Sequence, residues 1–570
     1  MLSIEHSLVE RLPWLAQYPR LRRPIAEVLG RLADEEGFNR VLARTEDAHG
    51  LVFAERVLEL LNTSYHVNPH ERENIPTDGP LLVVANHPLG MQDAMALLHL
   101  VGSVRPDVRL LGNDWLAVVP QLRDLLVAVD VFGKGAASRL RGIYRALDQG
   151  EAVIMFPAGE VSRVRPNGVR DGPWSDGFAR LSRRSGASVL PVHLAARNSV
   201  WFYGLSMLAK PLSTAMLPRE AVARAKRRIG VSIGPLISAE ELERRSAAST
   251  TQAATLMRRH VYRVGQHRGL IFGGQAPLAH PEPANLVEAE LQQADKLADL
   301  RDGKQAWLFR GRLDSAVLRE IGRLRELTFR RVGEGTGARR DLDAYDALYE
   351  HLVVWDPVAL RVVGAYRFGH GGRLIGEYGL AGLYTSSLFS YSPALESRLA
   401  EGMELGRSFV APAYWRSRAL DQLWQGIGLY LQRHPEVRYL FGPVSISVAL
   451  PREAREWIVA AHQHYFGAPG LAAARQPFVV SPEVIEGVRK SLDGLDAVAG
   501  LGKLRHHLDA LGVSLPVLYR QYVDLVEPEG VQFLGFGEDP GFSGCVDGLV
   551  MLDLANLKPA KRARYLQRGP

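Results

Sequence analysis

Short aliphatic runs recur through the first half of the chain: LLVVA (81–85), VRLLG (108–112), AVIMFP (152–157) and SVLPVHL (188–194). Each is bounded by Gly, Pro or Asn, and helical patterns lie between them. This alternation predicts an α/β domain over 74–272 with a largely parallel sheet. Upstream, RPIAEVLGRLADEEGFNRVLAR and GLVFAERVLELLNTSY space apolar residues by three and four, so residues 1–73 are expected to be helical. GGQAPLAHPEPANL (273–286) has three prolines, two glycines and no period, and marks a linker over 273–300. Beyond it HLVVWD (351–356), RVVGAYRFG (361–369), GLYTSSLF (382–389), MELGRSFVAPAYW (403–415), LDQLWQGIGLYL (420–431) and YLFGPVSIS (439–447) read as strand, strand, loop, strand, helix and strand. They predict a second α/β domain over 301–570, its last 120 or so residues a C-terminal extension of no evident role.

Composition changes this picture little. A chain of 570 residues is too long for one core, and 46% hydrophobic with 23% charged residues is a globular balance. The net charge of +7 favours an acidic partner: an anionic membrane surface, an acidic carrier protein or nucleic acid. No nucleic-acid recognition motif is present, which argues against the last. Cys545 is the single cysteine, so an intramolecular disulfide is excluded and a cysteine-based metal site is not expected. No apolar run reaches the length of a membrane span, and the start lacks a signal-peptide pattern. A cytoplasmic protein peripherally associated with the inner membrane is expected. RLPWLAQYPRLRRPIAEVLGRL (11–32) and the segment 203–230 mix apolar and basic residues as an anionic interface requires.

Two stretches carry candidate chemistry. Asn86 and His87 follow the first aliphatic run, and Asp93 falls in the first turn of the next helix. A carboxylate that accepts one imidazole N–H fixes the tautomer and leaves the other nitrogen free to take a proton. The substrate's own hydroxyl then serves as nucleophile, which explains the lack of a neighbouring serine or cysteine. VIMFPAGEVSR (153–163) ends a buried strand with Glu160, Ser162 and Arg163, the position where α/β sheets bind ligands.

Together the stretches resemble the glycerolipid acyltransferase family, whose NH-x4-D and FPEGTRS-like motifs correspond to Asn86-His87 … Asp93 and FPAGEVS, with SVLPVHL as a third match. VDVFGKGAASR would supply Arg139 as the basic residue of its second motif. Here five residues separate His87 from Asp93, not four, and the glutamate falls one place later. Gly90 is expected to absorb the extra residue as a bulge. The bacterial bifunctional ornithine-lipid synthases, which carry a downstream second domain, look like this at both motifs.

The second half is similar, over roughly 305–450, to GNAT-like N-acyltransferases related to acyl-homoserine-lactone synthases. That resemblance makes Glu404 the candidate proton acceptor for an amine, Arg407 a carboxylate binder, and Asp343 and Asp346 either binders of a cationic substrate group or helix caps. The Gly-rich stretch at 333–337 lacks a GK[ST] ending, so a loop over a ligand or a plain surface loop is expected there. The implied activity is two acyl transfers without metal or redox cofactor. The second domain N-acylates ornithine with a 3-hydroxyacyl chain from acyl carrier protein or coenzyme A, and the first O-acylates the resulting lyso-lipid. A lysophospholipid acyltransferase with an accessory second domain, and a non-enzymatic membrane-associated protein, are the alternatives.

Overall fold

A computed structural model describes residues 17–112, 119–127, 136–208, 213, 216–222, 227–247, 249–274 and 276–567. The chain divides into two compact units, Met1–Pro277 and Leu278–Pro570.

The first unit is built on six strands: β1 (Thr63–Val67), β2 (Leu81–Ala85), β3 (Val108–Leu110), β4 (Ala152–Met155), β7 (Ser188–Ala195) and β8 (Arg227–Ile233). The short hairpin β5 (Arg163–Arg165) and β6 (Gly168–Arg170) stands apart from them. The sheet order is β1-β8-β7-β2-β4-β3, parallel throughout except at β7–β8. Central β2 shows why the aliphatic runs are strands. Leu81, Val83 and Ala85 pack with Phe53, Val57 and Met95, while Leu82 and Val84 pack with Phe178, Met257 and Val261 on the opposite face. A strand covered on both faces has no polar positions, hence the unbroken run. The helices Gly50–Leu60 and Met91–Gly102 cover one face; Ala136–Asp148, Gly177–Ser185 and Thr250–Val264 cover the other.

One expectation changes here. Residues 63–67 are a strand of this sheet, so 1–73 is not a separate helical region. The alternating burial of β1, with polar Ser64 and His66 in it, hides it from a search for aliphatic runs.

The second unit has an eight-stranded sheet in the order β17-β18-β15-β14-β12-β11-β10-β9. Its strands are β9 (Asp295–Asp299), β10 (Gln305–Phe309), β11 (Glu350–Asp356), β12 (Arg361–His370), β14 (Gly402–Val410), β15 (Tyr439–Ile446), β17 (Val531–Asp539) and β18 (Cys545–Asp553). A two-stranded piece joins β13 (Phe389–Tyr391) to β16 (Ala472–Ala474). Pairing is antiparallel except for β14–β15, which pair only at Gly402–Glu404 with Tyr439–Phe441. Beyond those residues the two strands run on without pairing to each other, leaving a wedge open at their C-terminal ends.

The expected linker is largely ordered structure. The helix Ala284–Leu291 and edge strand β9 occupy its second half. Nor is the C-terminal part a mere extension: β18 pairs with β15 and β17 with β18 to complete the sheet, and the helix Arg452–Phe466 joins the main core through Ile458, Val459 and Phe466. The Gly-rich segment is a pinned turn. The buried Glu326 carboxylate accepts from the backbone of Thr336 and Gly337, while Ser447 and Ser543 hold the carbonyls of Gly333 and Gly335. Gly333, Gly335 and Gly337 all have positive φ, which explains their residue type. Among the described residues, no helix is long and apolar enough to cross a membrane.

Candidate functional sites

In the first unit the candidates gather at the C-terminal ends of the parallel strands β2 and β4. His87 leaves β2, and its ring stacks on Phe156 just beyond β4, with centroids 4.0 Å apart. Nδ1 of His87 lies 3.1 Å from Oδ2 of the fully buried Asp93. The same oxygen accepts the Leu89 and Gly90 N–H groups at 2.7 and 3.0 Å. Gly90 makes this turn with φ +96°, a conformation closed to side chains, and so accommodates the residue by which the motif is longer. The turn thus places an acidic oxygen against one imidazole nitrogen and leaves the other nitrogen free of that contact. The two motifs meet directly, because Ser162 N–H donates to the His87 carbonyl at 2.7 Å.

Other expected residues have structural partners. Asn86 is buried, and its carboxamide bonds both the N–H and the carbonyl of Leu194, tying the end of β2 to β7. The Ser162 hydroxyl is buried and donates to Asp171, so it is not an exposed ligand contact. Arg163 reaches Ser206 and Ser213 and pairs with Glu160 at 3.5 Å. Glu160, beside Arg163 and Arg165, keeps part of its surface exposed and is the most accessible of this group. Arg139 belongs to the helix Ala136–Asp148, but its side chain lies outside the described residues.

Asp171 is the residue sequence reading missed. It is buried beneath the motif, accepting from the His87 N–H at 3.3 Å, the Ser162 hydroxyl and Trp174 Nε1 at 2.9 Å. Burial raises its pKa, against the hydrogen bonds of Ser162 and Trp174. Its surroundings, RDGPW, carry no spacing pattern that would have singled it out. Replacing Asp171 with alanine strands three donors, and a loss of about 2–4 kcal/mol in unfolding free energy is expected by urea titration. A loss below about 1 kcal/mol would mean that water readily takes the carboxylate's place.

In the second unit, Glu404 is buried at the base of the wedge. Its carboxylate accepts the Tyr349 hydroxyl, the Tyr384 N–H at 3.0 Å and the Thr385 N–H at 2.7 Å. Burial raises its pKa against these bonds. Glu404, expected as the proton acceptor for an amine, instead has both oxygens holding the turn Tyr384–Ser387 in place, since an uncompensated buried carboxylate is too costly to leave unbonded.

Arg407 follows at a β-bulge, where two residues of β14 oppose Tyr366 of β12. Its φ of +49° is unusual for a side-chain-bearing residue and turns the guanidinium onto Tyr384 and Phe542. Burial opposes the charge of Arg407, and Asp341, 3.3 Å from Nε, foremost more than offsets it. Asp343 caps the short helix Ala344–Ala347, bonds Arg367 Nη1 at 2.6 Å, and stays partly exposed. Asp346 is fully buried between Arg325 at 2.7 Å and Arg367 at 3.3 Å. Burial alone would raise its pKa, but the two guanidiniums hold it well below the usual carboxylate range. Asp346 is thus a permanent counter-ion inside the fold and not a receptor for a substrate cation. The sequence offered no local sign of Arg325 or Arg367, because both lie on other elements.

Among the described residues no cluster of side chains is suited to a metal ion. A family model described as Acyltransferase matches residues 7–266, and one described as Acetyltransferase (GNAT) domain matches 324–425. A glycine N(alpha)-acyltransferase of Phocaeicola vulgatus is 31% identical over 267 residues, covering 44% of this chain and 80% of that one. A lyso-glycine lipid O-acyltransferase of Bacteroides thetaiotaomicron is 34% identical over 197 residues, covering 34% and 72%. An L-ornithine N(alpha)-acyltransferase of Brucella abortus is 30% identical over 210 residues, covering 29% and 73%. The chain belongs to the bifunctional ornithine-lipid-synthase-like family: it is a lipid acyltransferase with an N-terminal acyltransferase domain and a C-terminal GNAT domain.

Proposed function

We propose that the enzyme makes an ornithine lipid in two steps. The second unit N-acylates the ornithine α-amine with a 3-hydroxyacyl thioester, and the first esterifies the new 3-hydroxyl with a second acyl chain. The observation that carries this reading is the His87–Asp93 contact in the absence of an available serine nucleophile beside it, Ser162 being bonded to Asp171. Such a site suits an acceptor hydroxyl that is itself the nucleophile. His87 takes the hydroxyl proton as the oxygen attacks the thioester carbonyl, and Asp93 holds the ring. Glu160, partly exposed, orients the acceptor. In the second unit the wedge between β14 and β15 receives the thioester arm, and Arg407 faces the acceptor's carboxylate, as a planar fork suits it. No metal or redox cofactor takes part, and the acyl donor is a carrier-protein or coenzyme A thioester.

Peripheral attachment to the cytoplasmic face of the inner membrane is part of this proposal. Leu21, Ile25 and Val28 are exposed along one stripe of the helix Pro19–Ala33, with Arg20 and Arg23 also exposed. In the helix Val200–Leu208, Val200 and Trp201 are more than four-fifths exposed. Apolar residues flanked by arginines match an anionic lipid interface, and an acidic carrier protein would meet the same charge.

Glycine as the acylated amino acid is a second reading, favoured by the longer alignments with the glycine-named relatives. Expression in a host devoid of amino-acid lipids, followed by mass spectrometry, decides between them. A diacylated ornithine lipid is expected; a glycine lipid selects the second reading. A change confined to phospholipid acyl chains would make the GNAT domain an accessory.

A further inference from the structure

Three carboxylates from separate elements converge beside the wedge of the second unit. Asp539 and Asp547 share one face of the β17–β18 hairpin, where Gly537 opposes Asp547 and Asp539 opposes Cys545. Glu334 reaches them from the pinned Gly-rich turn, held there by Ser447 and Ser543. Asp547 opposes Ser445 on β15, one wall of the wedge, while Arg407 stands on β14, the other. The Tyr384 hydroxyl, whose ring lies under Arg407, donates to Asp539 at 3.3 Å.

Asp547 is buried, and its Oδ1 has no hydrogen-bond partner. Such an oxygen is costly unless a ligand or proton completes it. Burial first, then Asp539, pushes the Asp547 carboxyl up to about 7, against Ser445 and Arg407. Burial and Asp547 likewise push Glu334 up to about 7, against Arg407. Tyr519 and Cys545 complete the titratable surroundings and are themselves held neutral by burial.

We propose that Asp547 and Glu334 form the subsite for the acceptor's α-ammonium, binding it as a cation opposite Arg407 and taking its first proton. This rests on the N-acylation reading above and adds to it the residues that receive the amine. In the step an N–H bond of the ammonium breaks and a carboxylic O–H forms at Asp547 or Glu334. The freed lone pair then attacks the thioester carbonyl carbon, forming C–N as C–S breaks. The departing thiolate takes the second proton from nitrogen, so the products are an amide, a thiol and a protonated carboxyl that returns its proton to water. The arrangement also divides labour within the site: Glu404, fully bonded, holds the turn that carries Tyr384, and the carboxylate with an unbonded oxygen meets the substrate.

The test uses the full-length protein, with rates of amide formation measured against amino-acid concentration and pH. For Asp547→Asn the amino-acid kcat/KM is expected to fall by about 100-fold, with a smaller fall for Glu334→Gln. The wild-type profile should rise through about pH 7, the value of both carboxyls. In Asp547→Asn that limb should move to higher pH, toward the amine's own deprotonation. Asp547 is an acid whose folded pKa lies above its unfolded value, so its ionisation destabilises the fold progressively from the unfolded pKa up to about pH 7. Asp547→Asn removes that cost, and at pH 8 it should melt no lower than wild type despite its slower reaction. If both variants keep the wild-type KM, kcat and pH limb, the subsite is wrong while the N-acylation reading stands. If the wild type acylates no amino acid, that reading falls and the subsite with it. Should Asp547→Asn not fold, Glu334→Gln, on a surface turn, decides alone by the same two readouts.

Discussion

His87→Ala is expected to leave the enzyme making only the mono-acylated lyso-lipid, with O-acylation down by about 100- to 10,000-fold. The magnitude follows from the loss of a positioned general base while both substrates still bind. The geometry gives the loss a specific signature. His87 is in the first unit and its side chain has no partner that the N-acylation chemistry needs, so amide formation should continue and its product accumulate. Mass spectrometry of cells carrying the variant reads both quantities at once. Diacylated lipid at wild-type level would remove His87 from the chemistry. Asp93→Asn separates base from support. The carboxylate contacts Nδ1 and also accepts two backbone N–H groups of the Leu89–Gly90 turn, so the amide variant should lose activity together with turn stability.

How far this was readable from sequence depends on where each partner sits. Strands β2 and β4 announce themselves because both faces are buried, which leaves an aliphatic run with no polar positions. Strands β17 and β18 do not. Gly535, Gly537 and Gly548 and the buried Asp539 and Asp547 interrupt their aliphatic pattern. The His87–Asp93 pair is legible because a single turn carries both residues. Asp171, 84 positions from His87, is brought beneath it only by the tertiary fold. The same holds for the second unit: Asp343 and Asp346 stand out as a local motif, whereas the guanidiniums of Arg325 and Arg367 that neutralise Asp346 come from a helix and a distant strand. Local spacing gives a residue's neighbours along one element. It does not say which oxygen is already bonded, and that distinguishes a positioning carboxylate such as Glu404 from one open to substrate.

Glu404→Ala is expected to destabilise the second unit by about 3–5 kcal/mol, the range for breaking a buried charged network. Three donors lose their acceptor: the Tyr349 hydroxyl and the N–H groups of Tyr384 and Thr385. Each is in a region without ready access to water, so the desolvation of each is left uncompensated. N-acylation should fail with the fold, because Tyr384 supports both Arg407 and Asp539. Glu404→Gln distinguishes this from direct proton transfer. Glutamine keeps the volume and one acceptor oxygen but turns an amide N–H₂ toward a donor, so stability should drop by a smaller amount and the rate should drop with it. Urea unfolding and amide-formation rates on the folded variant measure the two effects separately. A glutamine variant with wild-type stability and no N-acylation would instead make Glu404 the proton acceptor, and Asp547 would then have to be the residue that only binds.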